Sequence, residues 1–239
     1  MTKAPALFTL IVTLTFVVSP LLTDPFSGFR ADQLPIPQIR PPVQPAGYAF
    51  AIWGVIYGWL VVSAVFGLVK RSRDPAWDRA RWPLIISLGV GTPWLAVANT
   101  GAIWATLMIF VMALGAILAL AYAPDTDRWF FRDPISIYAG WLTAASFVAL
   151  GTTAAGHGVL FGQLGWAYLS IVGALCIAAL VLQWATSPFY GATVIWALVG
   201  ICVANGVNNW TVTALAIVGI MILLRLMAQL RATAGSVPS

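Results

Sequence analysis

Long uncharged stretches alternate with short polar ones along this chain. Residues 4–22 carry no charged side chain, and apolar runs recur at 48–69, 82–98, 102–122, 134–154, 164–184, 189–204 and 211–230. A helix that crosses a bilayer needs about 20 predominantly apolar residues, within a range of roughly 17–25. The pattern predicts an all-α integral membrane protein, a polytopic helical bundle with about eight transmembrane helices. Residues 82–98 and 102–122 belong to one long apolar stretch, divided at the polar turn of Asn99, Thr100 and Gly101. The shortest segment, 189–204, is bounded by Pro188 and Asn205.

The first segment follows Lys3 and has the apolar run of a signal peptide. Its end, VVSPLLTDP, offers no small-x-small cleavage site, and Pro20 stands where cleavage would fall. A retained first helix is expected.

Composition agrees with the pattern. Of 239 residues, 61% are hydrophobic and 8% charged, and the mean hydropathy is +0.92. Soluble domains carry about 25% charged residues. The acidic residues are all Asp. The net charge of +5 does not point to nucleic acid, because the basic residues sit at segment ends and form no soluble face. They set an orientation instead. With eight spans and a cytoplasmic N-terminus, Lys3, Lys70, Arg71, Arg73, Arg79, Arg81, Arg128, Arg132, Arg225 and Arg231 fall inside. Only Arg30 and Arg40 fall outside, both in the long first loop. That split follows the positive-inside rule and places both termini in the cytoplasm.

Candidate chemistry is sparse. No carboxylate lies within a predicted span, which disfavours a carrier built on buried acids. His157 is the single histidine, in the glycine-flanked loop AAGHGV, and is expected to be solvated. Cys176 and Cys202 fall within the sixth and seventh segments, where buried small apolar residues are the default. No phosphate loop, nucleophile elbow or Cys-x-x-Cys occurs, so nothing points to an enzyme. Asn99, Asn205, Asn208 and Asn209 fall at span ends, where water or neighbouring helices satisfy them. Gly54 and Gly58 form a Gly-x-x-x-Gly, which suits close helix packing within the chain or between copies. A weak sterol-type pattern runs through Leu120, Tyr122 and Arg128.

Aromatic residues form the strongest local signal. Phe50, Trp53 and Tyr57 share one face of the second segment, and Tyr138 and Trp141 share a face of the fifth. Trp and Tyr also gather at membrane boundaries as anchors. That accounts for Trp82, Trp129, Trp166 and Trp210 better than for Trp53 and Tyr57, which lie further along their helix. Two readings stand: boundary anchors, or stacking faces for a flat ligand.

The stretch of Pro41, Pro42, Phe50, Trp53 and Tyr57, with the later Tyr138, Trp141 and Ala145, resembles the TspO/MBR family. These are the tryptophan-rich sensory proteins, related to the mitochondrial translocator protein or peripheral benzodiazepine receptor. The segments PAGYAFAIWGVIY and SIYAGW are similar to a longer bacterial branch with extra C-terminal helices. The Phe50-to-Trp53 gap is one residue shorter than the family's. The family's third-helix Asn-x-x-Trp is represented by Asn99, with Trp104 five residues on. The resemblance covers residues 1–154, as a five-helix bundle, and leaves 155–239 as an additional three-helix segment.

That resemblance implies a pocket between helices, beneath the loop joining the first two. Its associated ligands are tetrapyrroles such as porphyrin, and sterols. By this carry-over the ligand-binding candidates are Phe50, Trp53, Tyr57, Asn99, Tyr138 and Trp141, with Arg30 and Arg40 available to meet propionates. The implied protein is a non-enzymatic binding or sensory protein without a resident cofactor, in a bacterial inner membrane. Its partners are the lipid bilayer, a hydrophobic small molecule and, as in many family members, a second copy in a homodimer. A carrier of a hydrophobic metabolite and an assembly partner for a pigment or biosynthetic complex are the alternatives. The halves 1–120 and 121–239 show no convincing repeat, which lowers the carrier reading.

Overall fold

The computed structural model describes residues 3–185 and 187–235, with side chains as far as Leu230. The long helices are α1 (Ala4–Val18), α2 (Ile52–Lys70), α3 (Pro75–Ala98), α4 (Ala102–Tyr122), α5 (Arg132–Gly156), α6 (Gln163–Leu182), α7 (Pro188–Asn205) and α8 (Trp210–Gly235). No strand occurs among the described residues. A polytopic membrane bundle is what the apolar segments predict. Seven of the helices are long and apolar enough to cross a membrane, α1 being extended by a 3-10 turn at Ser19–Leu22.

The remaining helix, α3, reaches the fold by packing rather than by hydropathy. Its first turns carry Asp78, Arg79 and Arg81, and Pro83 and Pro93 interrupt its apolar run. It nevertheless lies along α4 in the most extensive helix pair of the bundle, and also packs on α1. Its interior polar group is satisfied, since the Ser87 hydroxyl lies 2.7 Å from the Met112 carbonyl and 3.0 Å from the Tyr138 hydroxyl.

The start of α3 corrects the sequence reading, which puts Arg79 and Arg81 in a loop before a helix opening at Trp82. The helix opens at Pro75, because the Asp74 carboxylate caps the Ala76 amide at 2.9 Å and Pro75 suits the first helical position. Arg81 is then buried. Its Nη1 donates to Asp78 at 2.6 Å, and its Nη2 to the Gly67 and Arg71 carbonyls at 2.9 and 3.0 Å. These carbonyls lie at the end of α2, where each also accepts a backbone amide, from Arg71 at 3.1 Å and from Asp74 at 3.2 Å, and Arg81 adds a charged donor to both. Gly67 permits the approach: a Cβ there would stand 2.8 Å from the Trp77 ring.

Two further expectations shift. Cys176 points outward from α6, a position where a small apolar side chain is compatible with lipid. Gly54 and Gly58 face open space, so they mediate no close packing within the chain. The short segment that becomes α7 is a full helix of 18 residues, opened by the Ser187 hydroxyl, which accepts from the Phe189 amide at 3.3 Å, and by Pro188. Ser236, near the C-terminus, lies outside the described residues.

The helix ends define two faces. At one, Arg71 pairs with Asp127 at 2.6 Å, and Arg132 pairs with Asp125. At the other, residues 23–46 fold back over the bundle. The Gln33 Nε2 donates to the Ala98 carbonyl at 2.9 Å, and the Ile36 amide to Gly156 at 2.8 Å. Ala98 and Gly156 end α3 and α5, so the loop is held by the carbonyls that helix ends leave unpaired. From α7, Asn205 Nδ2 donates to Pro42 at 2.8 Å, and the Gly200 carbonyl accepts from the Ala46 amide at 2.9 Å. The buried core is continuous from α1 to α8 and runs across residue 154 without interruption.

Candidate ligand cavity

Beneath that loop lies a cavity of about 270 Å³. Its walls come from α1 through Phe16, the 3-10 turn Gly47–Ala51 through Phe50, α2 through Trp53 and Tyr57, α3 through Trp94, and α5 through Trp141. Phe26, Phe29 and Pro45 of the loop region close it from above, and Ala197 of α7 completes one side.

Helical spacing brings the α2 rings together. Trp53 and Tyr57, four residues apart, stack with centroids 5.2 Å apart and planes at 24°. Trp141 approaches from α5, edge to face with both Trp53 (6.2 Å, 83°) and Phe50 (5.7 Å, 82°). Phe16 meets Tyr57 at 5.5 Å and Trp53 at 6.0 Å. Such arrangements suit the ring quadrupole and contribute about 0.5–1.5 kcal/mol per pair beyond area burial. Gly91 makes room for Phe16, since a Cβ there would fall 2.6 Å from its ring.

The sequence-predicted residues divide into two groups. Phe50, Trp53, Tyr57 and Trp141 line the cavity together. Tyr138 stands behind them, fully buried, with its hydroxyl on Ser87 and its ring 5.7 Å from Phe16. Asn99 does not reach the cavity. Its Nδ2 donates to the Asp24 carbonyl at 3.1 Å and so holds the loop. Trp104, its expected companion, is 68% exposed. Leu120 is buried while Tyr122 is exposed, so the sterol-type pattern presents no single face.

The two loop arginines also lie off the cavity wall. Arg30 is bound to Asp32 at 3.0 Å, and its hydrogen bond holds the Asp32 carboxyl below the ordinary carboxylate range. Arg40 does not line the cavity.

Sequence reasoning missed Phe16, Phe26 and Trp94. Trp94 is 8% exposed, donates from Nε1 to the Ala105 carbonyl at 2.8 Å, and meets Phe26 at 5.2 Å. Its signal was available: a tryptophan inside an apolar segment, away from either end, is poorly explained as a boundary anchor.

A family described as TSPO-like protein matches this chain over residues 6–229. The match runs from α1 into α8, and the chain belongs to that family. Comparison with curated proteins and with solved structures gives no significant match.

Proposed function

We propose that this TSPO-like chain is a non-enzymatic membrane binding or sensory protein whose cavity holds a flat, largely apolar ring system. One observation carries the reading: five aromatic side chains, Phe16 of α1, Phe50 of the turn before α2, Trp53 and Tyr57 of α2, and Trp141 of α5, line one hollow. A boundary belt would direct such rings to lipid and headgroups. Here they present faces and edges to a hollow, as sites for planar apolar ligands do.

The tetrapyrrole and sterol-like classes that the family resemblance implies share such a flat apolar body. They are the first probes to try. Equilibrium titration of the full chain in a nonionic detergent, followed by tryptophan emission, tests the reading. Saturable quenching by a flat apolar ligand is the expected result. Absence of saturable quenching across porphyrin, sterol and small polycyclic probes would leave a shared fold without a shared ligand.

A further inference from the structure

Resting on that reading of the cavity, the geometry points to a narrower ligand class: a compact fused-ring molecule whose polar end is a cation or hydrogen-bond donor, held by Asp24. Three observations meet here.

The first is size. An apolar cavity of about 150 Å³ accommodates benzene. At about 270 Å³ this one encloses two or three fused rings. A larger ring system leaves part of its bulk at the mouth.

The second is charge. Asp24, exposed at the mouth, is the sole charged residue lining the cavity. Its carboxylate makes no hydrogen bond or ion pair among the described residues, while its carbonyl is fixed by Asn99. The guanidinium of Arg30 is engaged by Asp32.

The third is the use of donors and acceptors at the mouth. The Ser19 hydroxyl donates to the Phe16 carbonyl at 2.9 Å, and Gln44 Nε2 donates to the Ser27 carbonyl at 2.5 Å. Those donors are occupied. The Asp24 carboxylate and Gln44 Oε1 are left as acceptors. An anionic ligand end would meet a like charge at the mouth, whereas a protonated amine finds a charge-assisted acceptor. This inverts the expectation that loop arginines receive propionates.

A matched two-ring series tests the inference on the full chain in nonionic detergent at neutral pH, by quenching of tryptophan emission: 4-aminoquinoline, which is protonated there, quinoline, and quinoline-4-carboxylate. Asp24 predicts a preference for the amine over the carboxylate of about tenfold, the scale of a hydrogen bond to a charged group. Asp24→Asn reduces that preference to within about twofold and leaves quinoline affinity unchanged. Arg30→Gln does not weaken binding of any probe.

Two results overturn the inference while the cavity reading survives. One is the carboxylate binding as tightly as the amine, with Trp53→Leu weakening both. The other is carboxylate binding that depends on Arg30. Failure of all probes to bind, or binding indifferent to Trp53→Leu, removes the cavity reading itself. As a check inside the tetrapyrrole class, protoporphyrin dimethyl ester, which lacks the two carboxylates, binds more tightly than the free diacid. The reverse order contradicts the assignment.

Discussion

Trp53 of α2 and Trp141 of α5 meet edge to face, with centroids 6.2 Å apart and planes at 83°. They stand 88 positions apart in sequence. Their meeting turns two local helical spacings into one aromatic wall. The same contact ties α2 to α5, a pair that otherwise touches far less than α3 and α4 do. A hollow beside a lightly packed helix pair is where a ligand can be accommodated without breaking the bundle.

The C-terminal helices help to shape that wall. Gly200 of α7 lies where an added Cβ would stand 2.8 Å from the Pro45 Cβ and 3.0 Å from the Ala49 Cβ. Neither neighbour is the end of a flexible side chain. Gly200→Ala is therefore expected to displace residues 45–49, lowering both thermal stability in detergent and ligand affinity. Gly89, also helical, has open space around its Cβ position. Gly89→Ala should stabilise by about 0.5–1 kcal/mol through helix propensity alone. Opposite signs for the two substitutions in thermal unfolding are the expected outcome. Equal effects would mean that the α7 approach does not constrain the segment.

Arg81 secures the opposite end. Removing a partner from a buried charge network typically costs about 3–5 kcal/mol. Arg81→Met strands Asp78 and removes the charged donor that ties the end of α2 to α3, so a loss of that order is expected in detergent unfolding. Arg81→Lys should recover little, because a single ammonium does not reproduce the guanidinium fork that spans Asp78 and two carbonyls. Full recovery by lysine would reduce the role of Arg81 to charge alone.

Orientation follows from charge. We propose that the end bearing Arg71 and Arg132 is cytoplasmic and that the loop end, with the cavity mouth, faces the opposite side. Single cysteines at Ser27 and Arg73, both exposed and at opposite ends of the bundle, report this in intact cells. Labelling of Ser27→Cys but not Arg73→Cys by an impermeant thiol reagent is expected. The reverse labelling would invert the topology.

Much of this architecture is legible in the sequence because lipid imposes a simple rule: backbone polar groups must be satisfied within a helix. Apolar runs therefore read directly as helices, and the spacing of Phe50, Trp53 and Tyr57 reads as one face. The start of α3 was less visible, because Asp74-Pro75 is a capping signal set within charges that suggest a loop. Loop contacts were not legible at all. That Asn99 holds the Asp24 carbonyl, or that Asn205 reaches Pro42 across 163 positions, depends on where helix ends meet in space. The same holds for Trp94 and Phe16, whose residue types are ordinary in apolar segments until packing turns them toward one hollow.

We propose that the rings of α2 and α5 form the ligand site. Trp53→Leu and Trp141→Leu keep apolar bulk and remove a ring face. Trp166, hydrogen-bonded to the Val159 carbonyl at 2.6 Å, and Trp210, 68% exposed, lie away from the cavity and serve as controls. The direct measurement is the dissociation constant of one flat apolar ligand for these four variants of the full chain in the same detergent. Ring stacking of about 0.5–1.5 kcal/mol corresponds to weakening by roughly two- to tenfold. That weakening is expected for Trp53→Leu and Trp141→Leu, with Trp166→Leu and Trp210→Leu matching the unsubstituted chain. Equal affinity across all four variants would contradict it.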